Sequence, residues 1–327
     1  MTATPKIELH VHLEGAIRPA ALLRIAQRND LPLPVQTVEE LAALYEFRDF
    51  RHFLEVWVMT TNCLRTGEDF RQVVVDYAAE AAAYGAVYLE AIFSPAERMA
   101  RGISGEELFS GYADGAAEAY ERHDVTVRFT PDLYRTMPDL EIAEQVARLS
   151  VAYADRGVVG LGVGGLEAAS SLDRFTRCFQ IVRDAGLALV PHAGESAGPE
   201  SIREALAFGA DRLRHGIAAA RDPELMAELA QRGIVLDVCP TSNLRTRVVS
   251  SLDEHPLPAL RAAGVLCSIS TDDPAMFNTD LGTEYDIAAR LGVSAADAYA
   301  AGLAGARCDQ GTRDRLAKIA VDAGWRT

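Results

Sequence analysis

His10-Val11-His12 places two imidazoles two residues apart near the start of the chain. Further on, His192-Ala193-Gly194-Glu195, His215 and Asp272-Asp273 add side chains of the same chemical kind. On a β-strand, alternate side chains share a face about 6.6 Å apart, so His10 and His12 can address one metal ion while Val11 packs on the other side. With His192 and Asp272 they make a nitrogen and carboxylate set suited to a catalytic zinc with one position open for water. Water bound to zinc falls in pKa from about 15.7 to roughly 7, worth about 12 kcal/mol in access to hydroxide, which supplies a nucleophile. Glu195, in a glycine-containing turn three residues beyond His192, is placed to give a proton to a substrate, and His215 to take one from the water. A further metal ligand is the alternative for His215, and it would fill the open position. Neighbouring residues at a strand end point apart, so Asp272 is expected on the metal and Asp273 toward a polar group of the substrate. The same alternation turns Arg214 away from the side His215 faces. One Zn²⁺ per chain is the expectation, with Fe²⁺ or Mn²⁺ compatible with the same donors. A second metal would need a bridging group such as a carbamylated lysine on the fourth strand. Val158 to Val163 has none, and Lys6 and Lys318, the chain's two lysines, are not placed to substitute.

Each of these groups follows a short apolar segment, which gives the elements that must position them. Eight strands are predicted: Lys6 to His12, Ala86 to Phe93, Thr126 to Asp132, Val158 to Val163, Ala188 to His192, Arg212 to His215, Ile234 to Val238 and Val265 to Ser270. They alternate with helical stretches, the pattern of an α/β protein with a parallel sheet, and eight such units close into a (β/α)₈ TIM barrel. Chemistry in such a barrel gathers where the strands end, which is where these residues fall. His52, His123 and His255 lack that setting and read as ordinary structural residues. The whole chain, 1–327, reads as one barrel domain with a helical insertion over about 15–85. Phe47, Phe50, Phe53, Leu54 and Trp57 recur there at three- and four-residue spacing, an amphipathic helix that packs on the barrel and can wall a pocket at its mouth. From Tyr285 on, alanine-rich sequence predicts a closing pair of helices.

Composition sets limits on function. Hydrophobic residues are 49% and charged ones 24%, the balance of a globular chain, and no apolar run approaches a membrane span. A formal charge of −15 with no basic cluster argues against nucleic acid polymers. The five cysteines are odd in number and form no CxxC pair, which points away from a disulfide framework and toward a reducing, cytoplasmic setting. Met1 to Pro5 carries no basic segment followed by an apolar one, so a cleaved signal is not expected. Oligomeric state is not legible.

Taken together, ELHVHLEGAIRP from Glu8, YLEAIFSP from Tyr88, PHAGESAGPESI from Pro191, RHGI from Arg214, CPTSN from Cys239 and STDDPAMF from Ser270 resemble the adenosine deaminase family of the amidohydrolase superfamily. The resemblance implies a zinc-dependent hydrolytic deamination of a 6-aminopurine, with ammonia released. It implies zinc on His10, His12, His192 and Asp272, Glu195 as proton donor to N1, and His215 orienting and deprotonating the water. Asp273 would partner N7, and the backbone at Gly165 would approach N3. Three positions depart from the adenosine-specific pattern: Glu14 in place of an aspartate, Leu166 in place of an aspartate before Glu167, and Ile92 in place of an arginine. Glu at the first position also occurs in the relatives that deaminate adenine, and in those that deaminate 6-aminodeoxyfutalosine for menaquinone synthesis. The latter nucleoside carries a carboxyphenyl ketone on its 5′ side, which demands an aromatic wall and a cation. Phe50, Phe53 and Trp57 are candidates for the wall, and Arg245 or Arg247 for the cation. Adenosine and adenine are the alternative substrates. A non-catalytic barrel that binds a nucleoside or a protein is the alternative of another class.

Overall fold

The computed structural model describes residues 3–31 and 33–325. Its eight parallel strands form a ring. They are β1 Lys6–His12, β2 Ala86–Ile92, β3 Thr126–Phe129 continued by Asp132–Tyr134, β4 Gly160–Gly164, β5 Ala188–Leu189 continued by His192–Ala193, β6 Leu213–His215, β7 Val235–Val238 and β8 Leu266–Ile269. Neighbours in sequence are neighbours in space, with β1 beside β2, β2 beside β3, and β5 through β8 in succession. The ring closes where the Asp272 N–H donates to the His10 carbonyl at 3.1 Å and the His12 N–H to the Asp272 carbonyl at 2.7 Å. Two of the predicted strands are interrupted. Pro131 and Pro191 each lack the N–H a ladder needs, and each stands immediately before a residue of the site, Asp132 and His192.

The barrel interior is charged as well as apolar. Arg212, fully buried, donates to Asp237 at 2.7 Å, to Glu90 at 2.6 Å and to the Gly305 carbonyl at 2.7 Å. One layer higher, Arg214 donates to Asp132 and to the Thr130 hydroxyl at 2.6 Å. Room for this second layer comes from β4, whose Gly-Leu-Gly-Val-Gly sequence turns glycines inward. A Cβ on Gly162 would lie 2.1 Å from Asp132 Oδ1 and 2.4 Å from the Arg214 guanidinium. Arg214 therefore faces the barrel interior on the same side as Arg212, as strand alternation requires of residues two apart, which corrects the expectation that it turns away. His215 is the residue that departs: its left-handed φ of 59° breaks the strand's period and lets its ring turn inward as well.

Between β1 and β2 run four helices, α1 Pro19–Arg28, α2 Val38–Leu44, α3 Phe50–Thr61 and α4 Gly67–Ala83. The starts of α2, α3 and α4 carry sequence-coded caps. Thr37 with Glu40 and Thr66 with Asp69 form reciprocal capping boxes, and Asp49 accepts from the His52 N–H at the head of α3. Three helices close the C-terminal part, Leu281–Arg290, Ala295–Gly305 and Gln310–Asp322, one more than the pair predicted. Among the described residues no helix is long and apolar enough to cross a membrane.

Candidate active site

Four side chains converge at the C-terminal end of the ring. β1 brings His10 and His12, the second half of β5 brings His192, and Asp272 follows β8. Their donor atoms all lie within 4.8 Å of one another. The Nε2 atoms of His10 and His12 are 3.1 and 3.4 Å from Asp272 Oδ1, and the Nε2 atoms of His12 and His192 face each other at 3.2 Å. Burial holds the pKa values of His12 and His192 well below the ordinary histidine range, so both rings are neutral and offer lone pairs. His192 Nδ1 faces the Val163 carbonyl at 3.1 Å and Asp132 Oδ2 at 3.4 Å, which places its proton there and leaves Nε2 for a metal. His10 Nε2 is buried without a hydrogen-bond partner. A divalent cation fits this donor set.

Around that cluster stand two further acid–base groups. His215 Nε2 is 3.6 Å from Glu195 Oε1 and 3.7 Å from Asp272 Oδ2, and burial pushes its pKa down to about 3. Glu195 is raised well above the ordinary carboxylate value, by burial first and then by the charges of Asp272 and Glu167, which favours its protonated form. Its turn is fixed from behind. Glu167 accepts from the N–H groups of Gly194, Glu195, Ser196 and Ala197 at 2.7, 2.9, 2.7 and 3.2 Å, and from the Ser201 hydroxyl. Burial alone would raise the Glu167 carboxyl, but these donors hold it below its ordinary value. Asp273 accepts from the Trp57 indole N–H at 2.8 Å on Oδ1. Burial and the neighbouring Asp272 raise it well above the ordinary carboxylate value.

A cavity of about 540 Å³ opens over the cluster, within the range of small-molecule sites. His12, His192, Glu195, His215, Asp272, Asp273 and Gly165 line it on the barrel side, and Phe50, Phe53, Leu54, Trp57 and Val58 line it from α3. Phe53 is held there by Phe277, with ring centroids 5.1 Å apart, and by Phe47 at 5.3 Å. A larger open groove of about 1090 Å³, lined by Thr126, Val158 and Ala188 among others, contains none of these residues.

Three expected contacts fall elsewhere. Arg245 and Arg247 do not line the cavity. The helix Pro240–Arg245 carries Arg245 outward to the Tyr45 carbonyl at 2.8 Å and Glu46 at 3.1 Å, and Arg247 follows where the chain turns with a left-handed φ of 62°. Glu14 is buried behind the wall, accepting from the Ser94 N–H at 2.9 Å and pairing with Arg98 at 3.3 Å, with its second oxygen unpartnered. The cation that does line the cavity is Arg51, one residue after Phe50 on α3, and it makes no ion pair or hydrogen bond among the described residues. Sequence reasoning passed over it because the helix was read for its apolar stripe alone. Asp132 was also missed as a site residue, although an aspartate at a strand's C-terminal end carries the same signal as the rest.

Residues 5–319 match the family described as adenosine deaminase. This chain belongs to that family. It is a metal-dependent aminopurine deaminase, a hydrolase of C–N bonds. An aminodeoxyfutalosine deaminase of Acidothermus cellulolyticus is 52% identical, the match spanning 99% of this chain and 93% of that protein. An adenine deaminase of Cupriavidus necator is 36% identical over 90% of this chain and 84% of its own. The crystal structure of an adenine deaminase from Arthrobacter aurescens superposes with a TM-score of 0.92 at 30% identity, covering 98% of this chain and 99% of that one.

Proposed function

We propose that this deaminase acts on 6-aminodeoxyfutalosine, replacing the 6-amino group of its adenine with oxygen. The observation that carries the substrate is the cavity itself. Beyond the metal ligands it continues under an aromatic wall, Phe50, Phe53 and Trp57, with the unpaired guanidinium of Arg51 on the same helix. A carboxyphenyl group on the 5′ side of an adenine nucleoside needs such a wall and such a cation. The 52% identity to an aminodeoxyfutalosine deaminase supports the same reading.

A divalent metal on His10, His12, His192 and Asp272, zinc by its preference for such donors and iron or manganese on the same set, supplies the acidity that makes water a nucleophile at neutral pH. The protein's own groups do the rest. Neutral Glu195 gives its proton to purine N1, so that charge developing on the ring during attack at C6 is cancelled. Asp273 donates to N7, the backbone at Gly165 meets N3, and His215 stands beside the attacking water. In this reading the whole chain is one catalytic domain, with α1 to α4 an insertion that roofs the site. Five unpaired cysteines fit a reducing compartment.

The test is a substrate panel on zinc-loaded protein, followed by the loss of adenine absorbance. We expect kcat/KM for aminodeoxyfutalosine to exceed that for adenosine and adenine by at least about 100-fold, the discrimination that shape and apolar contact alone can supply. Preference for adenosine or adenine would overturn the substrate and leave the deaminase. Zinc-loaded protein that binds nucleoside and turns over none would favour the non-catalytic barrel.

A further inference from the structure

Behind His215 lies a chain of buried groups that the scheme above does not use. The backbone N–H of Leu257 donates to His255 Nδ1 at 3.1 Å, His255 Nε2 is 3.2 Å from Asn243 Oδ1, and Asn243 Nδ2 is 3.4 Å from His215 Nδ1. Asn243 and His215 are fully buried and His255 is 4% exposed. A backbone N–H can only donate, so the polarity of the whole chain follows from its far end. His255 Nδ1 must accept, and burial, which lowers the His255 pKa to about 4, keeps that ring neutral. Its proton is therefore on Nε2 and goes to the Asn243 oxygen, which turns the Asn243 NH₂ toward His215. His215 Nδ1 then accepts, and a neutral ring that accepts at Nδ1 carries its proton at Nε2. At the other end Nε2 is buried without a hydrogen-bond partner, 3.6 Å from Glu195 Oε1 and 3.7 Å from Asp272 Oδ2, so nothing there competes with the polarity set from Leu257.

We propose that Leu257, His255 and Asn243 lock His215 as its Nε2–H tautomer, so that it orients the attacking water by donating a hydrogen bond and does not take the water's proton. Asn243 and His255 are positioning residues in this scheme. It departs from the expectation that His215 is the base, and leaves Glu195 to move the protons. Glu195 gives its proton to N1 as the C6–O bond forms, then takes the first proton the water sheds. It passes that proton to the amino group as the C6–N bond breaks and ammonia leaves. The second water proton returns to Glu195 as C6 becomes a carbonyl, so the carboxyl ends as it began.

The catalytic meaning rests on the deaminase reading, while the tautomer does not. The experiment is ¹⁵N NMR of zinc-loaded protein labelled at histidine, in which the two ring nitrogens of a neutral imidazole report which one is protonated, paired with kinetics of three variants. In the wild type, His215 is expected protonated at Nε2. In Asn243→Asp the carboxylate accepts from both neighbours, so the His215 proton moves to Nδ1 and kcat falls about 10–100-fold with KM little changed, the usual scale for losing the partner that orients a site histidine. His255→Leu frees the Asn243 amide to rotate, and His255→Gln, which keeps a donor toward Asn243, recovers most of the kcat that His255→Leu loses. A wild-type His215 protonated at Nδ1 overturns the proposal whether or not the variants fold. So does Asn243→Asp at full activity, because a carboxylate behind a histidine strengthens a base. Absence of any aminopurine turnover by the wild type would instead sink the deaminase reading and leave the NMR result standing.

Discussion

At the scale of single residues, the site depends on groups that touch no substrate. Asp132 uses one oxygen for Arg214 and turns the other toward His192 Nδ1, so a single carboxylate neutralises a buried guanidinium and orients a metal ligand. Burial raises its pKa to about 6 even with the Arg214 charge beside it. Asp132→Asn is expected to weaken metal binding about 10–100-fold in a chelator competition. It should also destabilise the fold by roughly 3–5 kcal/mol, since Arg214 would keep its charge in a dry site without a partner. Unchanged metal affinity would show that His192 holds its ring orientation through the Val163 carbonyl alone. Asp132 was legible in principle, ending a strand as the ligands do. Glu167 was not, because its partners are backbone N–H groups of a turn 27 to 30 residues further on, and no side-chain pattern announces them.

Among the elements, the strands were legible where an apolar run ends on a polar group, and the interruptions were not, because proline inside a barrel strand only shortens its ladder. α3 shows a sharper contrast. Helical period put Phe50, Phe53 and Trp57 on one face, the helix's place after β1 put that face near the barrel mouth, and the resemblance suggested them as a wall; all three line the cavity. Arg245 and Arg247 sit in a short helix and the turn after it, where spacing sets no direction, and the expectation for them failed. Arg51 lines the same cavity, and among the described residues its guanidinium makes no ion pair. Arg51→Ala should raise KM for a nucleoside bearing a 5′ carboxyphenyl group about tenfold, with kcat nearly constant and a smaller effect on adenosine, which has no carboxylate to lose. The arginine is exposed, which keeps the expected effect at the low end for a charged hydrogen bond. An equal rise for both substrates would mean that Arg51 shapes the helix and does not read the carboxylate.

For the whole molecule, an excess of acidic residues is managed by leaving some buried carboxyls neutral as well as by pairing others. Glu90, Asp237 and Asp132 face arginines inside the barrel. Among the described residues Glu284 has no such partner. It accepts from the Thr241 N–H at 3.1 Å and the Thr279 hydroxyl at 2.5 Å, and burial lifts its pKa to about 7 despite both donors. Its folded value lies above the 4.5 of an ordinary glutamate, so below pH 4.5 both states are protonated and its contribution is complete. Between about 4.5 and 7 the native protein holds a proton that the unfolded chain has released, and stability is lost as pH rises through that window. Buried histidines act in the opposite sense: His255, lowered to about 4, costs stability as pH falls below the unfolded histidine value of 6.5. The two effects oppose each other in the wild type, so the measurement must isolate one group. Glu284→Gln keeps the shape and cannot titrate. Its urea-unfolding stability relative to wild type should climb by on the order of 3 kcal/mol between pH 5 and pH 8, then level off. A difference that stays flat over that range would mean Glu284 is ionised throughout in the native protein, and that the interior holds its charge by a stronger field than these two donors supply.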